Sequence, residues 1–391
     1  MSSRKLMVMA FALFIAIGWL GGALGPALPD LADRTGRDLA ALGALVTAAF
    51  IGTMAAQIVA GPLNDRLGQR PVILVGATLL ALGTLGILFS RSLTATLAIG
   101  LMYGFGFGAV DISTNLLIAH RFAERSVPML NLLHTFYGVG SVASPAIAGL
   151  TLAVWDSALP AFGLGFVAVL IPLPLVWRLD NVPLPAVPQV NAARGNGFSY
   201  RVPLLWALGF LLLLFVGLEA GMGSWTTAYV DRTTTLGKEV GALITSGYWL
   251  ALTVGRVLGA LYSSRFTPQT VLWACLAGML GGSVLLAVGH GSVALTVLAV
   301  LVLGLWSGPP YPTIVAITTA TFPNGPGKAT SVVVAMASLG AATLPWLQGV
   351  LLDRVSSLAM VLLFIAEVLA MLLVMMAVQA HSPRRAVAPA D

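Results

Sequence analysis

Charge is what this chain has least of. Lys, Arg, Asp and Glu make up only 9% of its 391 residues, against 58% hydrophobic residues. That excludes a surface wetted on all sides and points to lipid as the main solvent. The formal charge of +6 forms no patch or stripe, so no nucleic-acid partner is expected. The single cysteine, Cys275, lies in an apolar run, which excludes a disulfide framework and a cysteine-rich metal site. The four histidines are scattered, and no set of nucleophile, base and orienter forms, so neither an enzyme nor a cofactor is expected. Long polar intervals are also lacking. Only Asp180 to Arg201 qualifies, which leaves no room for a signalling domain. Arg4 and Lys5 precede an apolar run too long for a signal-peptide core, and it flows into Pro26 and Pro29, so no cleavable signal is expected.

What remains is a succession of twelve apolar runs of spanning length, from roughly 6–28 to roughly 355–379. The fold class expected is an all-α membrane protein with two pseudo-symmetric six-helix bundles, and twelve spans put both termini on one side. Thirteen basic residues, among them Arg4, Arg66, Arg121, Arg178 and Arg265, fall on that side and six on the other. The excess makes the termini cytoplasmic in a plasma membrane, the inner membrane of a bacterium. The polar interval, rich in Pro, Asn and Gly, reads as a linker over 179–201 between bundles at 1–178 and 202–391. The halves echo each other at a spacing near 200: Gly104 and Gly108 match Gly304 and Gly308, and Pro145 and Gly149 match Pro345 and Gly349. Internal repeats of this kind suit a transporter with its site at the midplane between them.

Tyr103 to Gly149 reads as the fourth and fifth spans joined by a short basic loop. Counted from that loop, Asp111 and His134 lie at similar depth, as do Asn115 and Asn131. Asp111 and Asn115 are four apart and Asn131 and His134 three apart, so each pair shares a helix face. An acid, an imidazole and two amides can converge inside the bilayer, where ionisable groups usually mark a transport path or proton relay. Glu219, among Gly217, Gly221 and Gly223 of the seventh span, is either a coupling carboxylate or a polar staple. Arg256 lies well inside the eighth span and needs a partner, with Asp111 and backbone carbonyls of the eleventh span as candidates.

The loop after the second span, GPLNDRLGQRP from Gly61 to Pro71, resembles the signature G-x-L-x-D-R-x-G-[RK]-[RK] of the major facilitator superfamily. The resemblance implies a gate on the cytoplasmic side built from Gly61, Asp65, Arg66 and Arg70. Asp65 would pair with the other bundle when that side is closed. A degenerate copy, GRVLGALYSSRF, contains Arg256 and has serines where the acid should be. Within the superfamily, Gly108, Asp111 and Asn115 with Asn131, Leu132, His134, Phe136, Gly140 and Ser141 look like the fucose:proton symporter group, which includes animal glucose-transporter-like members. That resemblance implies a sugar bound at the centre and a helix acid that binds sugar or proton. It also departs from the group: His134 replaces an amide, and the first span carries Trp19, Gly21 and Gly22 where proton-coupled members carry a carboxylate.

The expected transport is ion-coupled symport of a sugar-like solute, with a proton or sodium as co-substrate and lipid as the only other partner. A monomer is expected, because a path inside one chain needs no second copy. Asp111, Glu219 and His134 are the expected coupling groups. Asn115, Asn131, His134, Tyr137, Trp225, Trp249, Trp306 and Tyr311 are the expected solute contacts, amides for hydroxyls and rings for the sugar face. The rival is a proton-coupled exporter of amphipathic compounds, since Gly140 to Gly149 resembles the antiporter signature G-x-x-x-G-P-x-x-G-G with Ser144 and Ala148 in place of glycines.

Overall fold

The computed structural model describes residues 2–122, 126–180, 199–262, 265–322 and 326–381. Fourteen helices lie among them: α1 (Ser3–Thr35), α2 (Leu39–Leu67), α3 (Gln69–Phe89), α4 (Leu93–Phe122), α5 (Ser126–Trp155), α6 (Leu159–Leu170), α7 (Leu173–Trp177), α8 (Pro203–Thr233), α9 (Gly237–Tyr262), α10 (Pro268–Val288), α11 (Val293–Ser307), α12 (Pro310–Thr321), α13 (Pro326–Arg354) and α14 (Ser357–His381). They make twelve spans long and apolar enough to cross a membrane, because α6 with α7 and α11 with α12 are each one span broken in two. The breaks fall at Pro172 and at Pro309-Pro310, where a missing N–H and a ring interrupt the helical ladder.

Glycine dictates how closely these helices pack. In the first half, Gly18, Gly22 and Gly140 bring α1 against α5 in parallel, while Gly52, Gly104 and Gly108 bring α2 against α4. In the second half, Gly217, Gly221, Gly340 and Gly349 join α8 to α13, and Gly255, Gly304 and Gly308 join α9 to α11. The first span thus pairs with the fifth as the seventh does with the eleventh, and the second with the fourth as the eighth does with the tenth. The echo of Gly104 and Gly108 in Gly304 and Gly308 is this repeated packing. Gly68 serves differently. Its φ of 81° makes the turn from α2 into α3, a region that side chains avoid.

The halves meet tightly on the face opposite the termini, called distal here. The Ala40 N–H donates to Asp353 Oδ2 at 3.0 Å, and Arg354 pairs with Asp38 at 3.1 Å. Lys238 of the second half reaches Asp156 at 2.8 Å and Asp30 at 3.9 Å in the first. Asp30 also accepts from the Ala158 N–H at 2.6 Å and the Ser157 hydroxyl at 2.8 Å, which fixes it at the start of α6. Deeper, Gly25 of α1 lies on Gly223 and Ser224 of α8, and Gly43 of α2 on Trp225 and Trp346. A charged depression of about 520 Å³, lined by Asp33, Arg37, Asp231 and Arg232 among others, remains at the distal surface. His134, by contrast, is exposed, yet it lies close enough to Arg256 of the other half to be acted on by its charge. It therefore faces a crevice between the halves that is open toward the side of the termini.

Candidate solute and proton site

The centre of the crevice collects charge from both halves. On α4, the Asn115 amide donates to Asp111 Oδ1 at 3.0 Å and to the Asp111 carbonyl at 3.0 Å, so the i, i+4 spacing becomes a direct bond. Across the crevice, Arg256 Nη2 donates to Glu219 Oε1 at 3.1 Å. Asp111, Glu219 and Arg256 all act electrostatically on the hydroxyls of Tyr137 and Tyr311. Two carboxylates, a guanidinium and two phenols drawn from α4, α5, α8, α9 and α12 therefore share one polar space. Tyr311 owes its place to the break at Pro309-Pro310, which starts α12 beside the site.

The partner of Arg256 corrects the expectation from sequence: it is Glu219, not Asp111 or a carbonyl of the eleventh span. The pairing was countable. Glu219 lies fourteen residues before the end of α8 and Arg256 nineteen after the start of α9. The depths differ by only about 7 Å, which an arginine side chain spans.

Trp249, Thr253 and Arg256 fall on one face of α9. Thr253 faces Gly138 of α5, and the buried Trp249 indole N–H is without an acceptor. A donor already stripped of water is available to a solute hydroxyl at little further cost. The Tyr137 hydroxyl lies over Gly21, 2.9 Å from where a Cβ would be. It occupies the space beside the first span where the resemblance leads one to look for a carboxylate.

Two expected solute contacts lie elsewhere. Trp225 is fully buried, donates to the Pro345 carbonyl at 2.7 Å and fills the notch at Gly349, so it fastens α8 to α13. Trp306 covers Gly278 of α10, away from the first half. Trp225→Phe is expected to lower stability by about 1 kcal/mol through the lost indole hydrogen bond, since the Pro345 carbonyl keeps its helical donor within α13. It should leave the transport KM unchanged, which a thermal melt and an uptake assay read separately.

Of the gate residues, Arg70 lies over the Trp177 ring at 5.3 Å within its own half, and Arg66 is exposed. Gly61 and the side chains of Asp65 and Asn131 lie outside the described residues, as do Ser263 and Ser264. Sequence reading also missed a buried acid, Glu367 of α14, bonded to Gln348 of α13 at 3.0 Å. An acid ten residues into an apolar span was its visible signal.

A model of the Major Facilitator Superfamily matches residues 6–237 and 232–390. The chain belongs to the Major Facilitator Superfamily. It is a membrane transporter of small solutes and not an enzyme. It is 23% identical over 402 aligned residues to the mouse sodium-dependent glucose transporter 1A, spanning 90% of this chain and 91% of that protein. It is 24% identical to the gallate transporter of Pseudomonas putida, over 75% of this chain and 73% of that one. Among solved structures, a D-xylose–proton symporter superposes with a TM-score of 0.79 at 15% identity, covering 94% of this chain and 97% of the other. This last likeness establishes the fold alone.

Proposed function

We propose that this member of the superfamily takes up a sugar together with a proton, by rocking two bundles, 1–178 and 202–391, about the 179–201 linker in a plasma membrane, the bacterial inner one, with cytoplasmic termini. The carrying observation is the shared space of Asp111, Arg256 and Glu219 with Tyr137 and Tyr311, with Trp249 two turns from Arg256 on the same face of α9. Hydroxyl-rich solutes need paired donors and acceptors and an aromatic face, and this set provides them. The name of the glucose transporter above supports the same class.

In this reading Asp111 takes a proton while the crevice faces outward and yields it on the cytoplasmic side as Arg256 or His134 draws near. Solute binds better to one protonation state, and that difference in affinity couples the two fluxes. The glycines of α8 let the helix bend as the distal face opens and closes. Glu219 is paired with Arg256 in this structure, which leaves Asp111 as the acid free to cycle.

The test is the internal pH of proteoliposomes when hexoses, deoxyhexoses and disaccharides are added one at a time. Acidification by one sugar that is absent in Asp111→Asn is the expected result. A sodium-dependent flux with no pH change would replace the proton with sodium. Silence toward every sugar, together with efflux of lipophilic cations, would overturn the reading in favour of an exporter.

A further inference from the structure

Glu367 is 3% exposed and Gln348 fully buried. The Gln348 amide donates to Glu367 at 3.0 Å and 3.3 Å and reaches the Gly217 carbonyl of α8 at 3.4 Å. Its own oxygen, pressed against Gly221, is buried without a donor. Helices α8, α10 and α13 pack against α14. On α8, Glu219 is bound to Arg256, Tyr229 donates to the Leu286 carbonyl, and Asp231 and Arg232 lie at the distal end. On α10 there is the buried thiol of Cys275, and on α13 Asp353 and Arg354 lie at the distal end. Among the described residues none of these is within ion-pair or hydrogen-bond distance of Glu367.

A bare carboxylate in this place would be a buried charge served by one amide, an arrangement that costs several kcal/mol. A carboxylic acid fits. A neutral carboxyl accepts the amide N–H without burying a charge, its O–H can turn toward the Gln348 oxygen that has no donor, and the second N–H is left for Gly217. We infer that Glu367 is a proton-binding site of the second half, separate from Asp111, and that its proton sets the hold of Gln348 on α8. In the structure the amide reaches both carboxyl oxygens and, more weakly, the Gly217 carbonyl, so loss of the proton strengthens the carboxylate's claim on the amide at the expense of Gly217. Gly217 begins the glycine stretch that ends at Gly223, where α8 closes against Gly25 of α1. A cavity of about 10 Å³, room for about one water, is lined by Gly221, level with Gln348, and by Phe364, Thr226 and Tyr229.

The first test does not depend on the identity of the solute. Unfolding releases the proton once the pH exceeds the ordinary glutamate value of about 4.3. Wild-type stability therefore falls as pH rises above about 5, and the folded-to-unfolded ratio loses about tenfold per pH unit until the folded protein also ionises. Glu367→Gln keeps the shape and carries no proton, so thermal melts from pH 5 to 9 should show that component missing and the variant the more stable of the two at the alkaline end. Equal slopes in the two proteins would overturn the inference. Infrared spectra of the folded wild type at neutral pH provide a check that needs no variant at this position. A carboxylic-acid carbonyl band that shifts on ¹³C-glutamate labelling and persists in Glu219→Gln is expected, and absence of such a band would equally overturn it.

Discussion

Asp111→Asn is expected to reduce sugar accumulation to simple equilibration while exchange of sugar across the membrane continues. The amide fits the same space and can still bond to Asn115, four residues on. What it loses is the ability to take and release a proton. One proton moving down ~100 mV supplies about 2.3 kcal/mol, or roughly fortyfold in concentration ratio, and that gradient should vanish. Counterflow with radiolabelled sugar should persist within a few-fold of wild type, because Tyr137, Tyr311 and Trp249 are intact. Accumulation surviving unchanged in the variant would remove Asp111 from the coupling step and turn attention to Glu219.

Gly25→Leu is expected to hold the distal face open. A Cβ at this position would run into the Gly223 carbonyl and come within 3.0 Å of Ser224 Cα, both on α8. These are backbone atoms that cannot swing aside, so the side chain fits only if α1 and α8 part. Overpacking of this kind costs typically about 1–3 kcal/mol, which shifts the balance between distal-closed and distal-open states by roughly five- to 150-fold. A cysteine introduced at Asp33, beside the distal depression, should then be labelled by an impermeant reagent at least about tenfold faster, and net uptake should fall in parallel. Gly36→Leu, at a position with no neighbour within 4 Å but a φ of 60°, would be strained for another reason and is a poor control. Lys238→Met should give a smaller shift of the same sign, since its pair with the exposed Asp156 contributes about 0–1 kcal/mol and the buried Asp30, 3.9 Å away, keeps its bonds to Ser157 and Ala158. Labelling that stayed at the wild-type rate in Gly25→Leu would show that the α1–α8 contact does not close the distal side.

The deep residues divide according to what each pairing depends on. Asp111 and Asn115 were legible because a bond between positions i and i+4 is a property of the helix alone. Glu219 and Arg256 were legible in principle, since a short turn joins their helices and depth can be counted from it. Glu367 and Gln348 were not, because a bond across two spans depends on how each helix is rotated, and an apolar span gives little periodic signal when lipid and protein interior are equally apolar. Trp225 and Trp306 were misplaced for the same reason: composition shows that they are aromatic and membrane-embedded, not that one faces α13 and the other α10.

By itself the sequence determined the class of solvent, the twelve spans, the family loop from Gly61 to Pro71 and the internal repeat, because burial of the backbone in lipid forces each apolar run into a helix of fixed rise. Only the tertiary structure decided which faces meet. Close approach at glycines such as Gly25, Gly104 and Gly221 sets helix rotation, and rotation selects which polar groups look into the crevice and which are spent on a neighbouring helix.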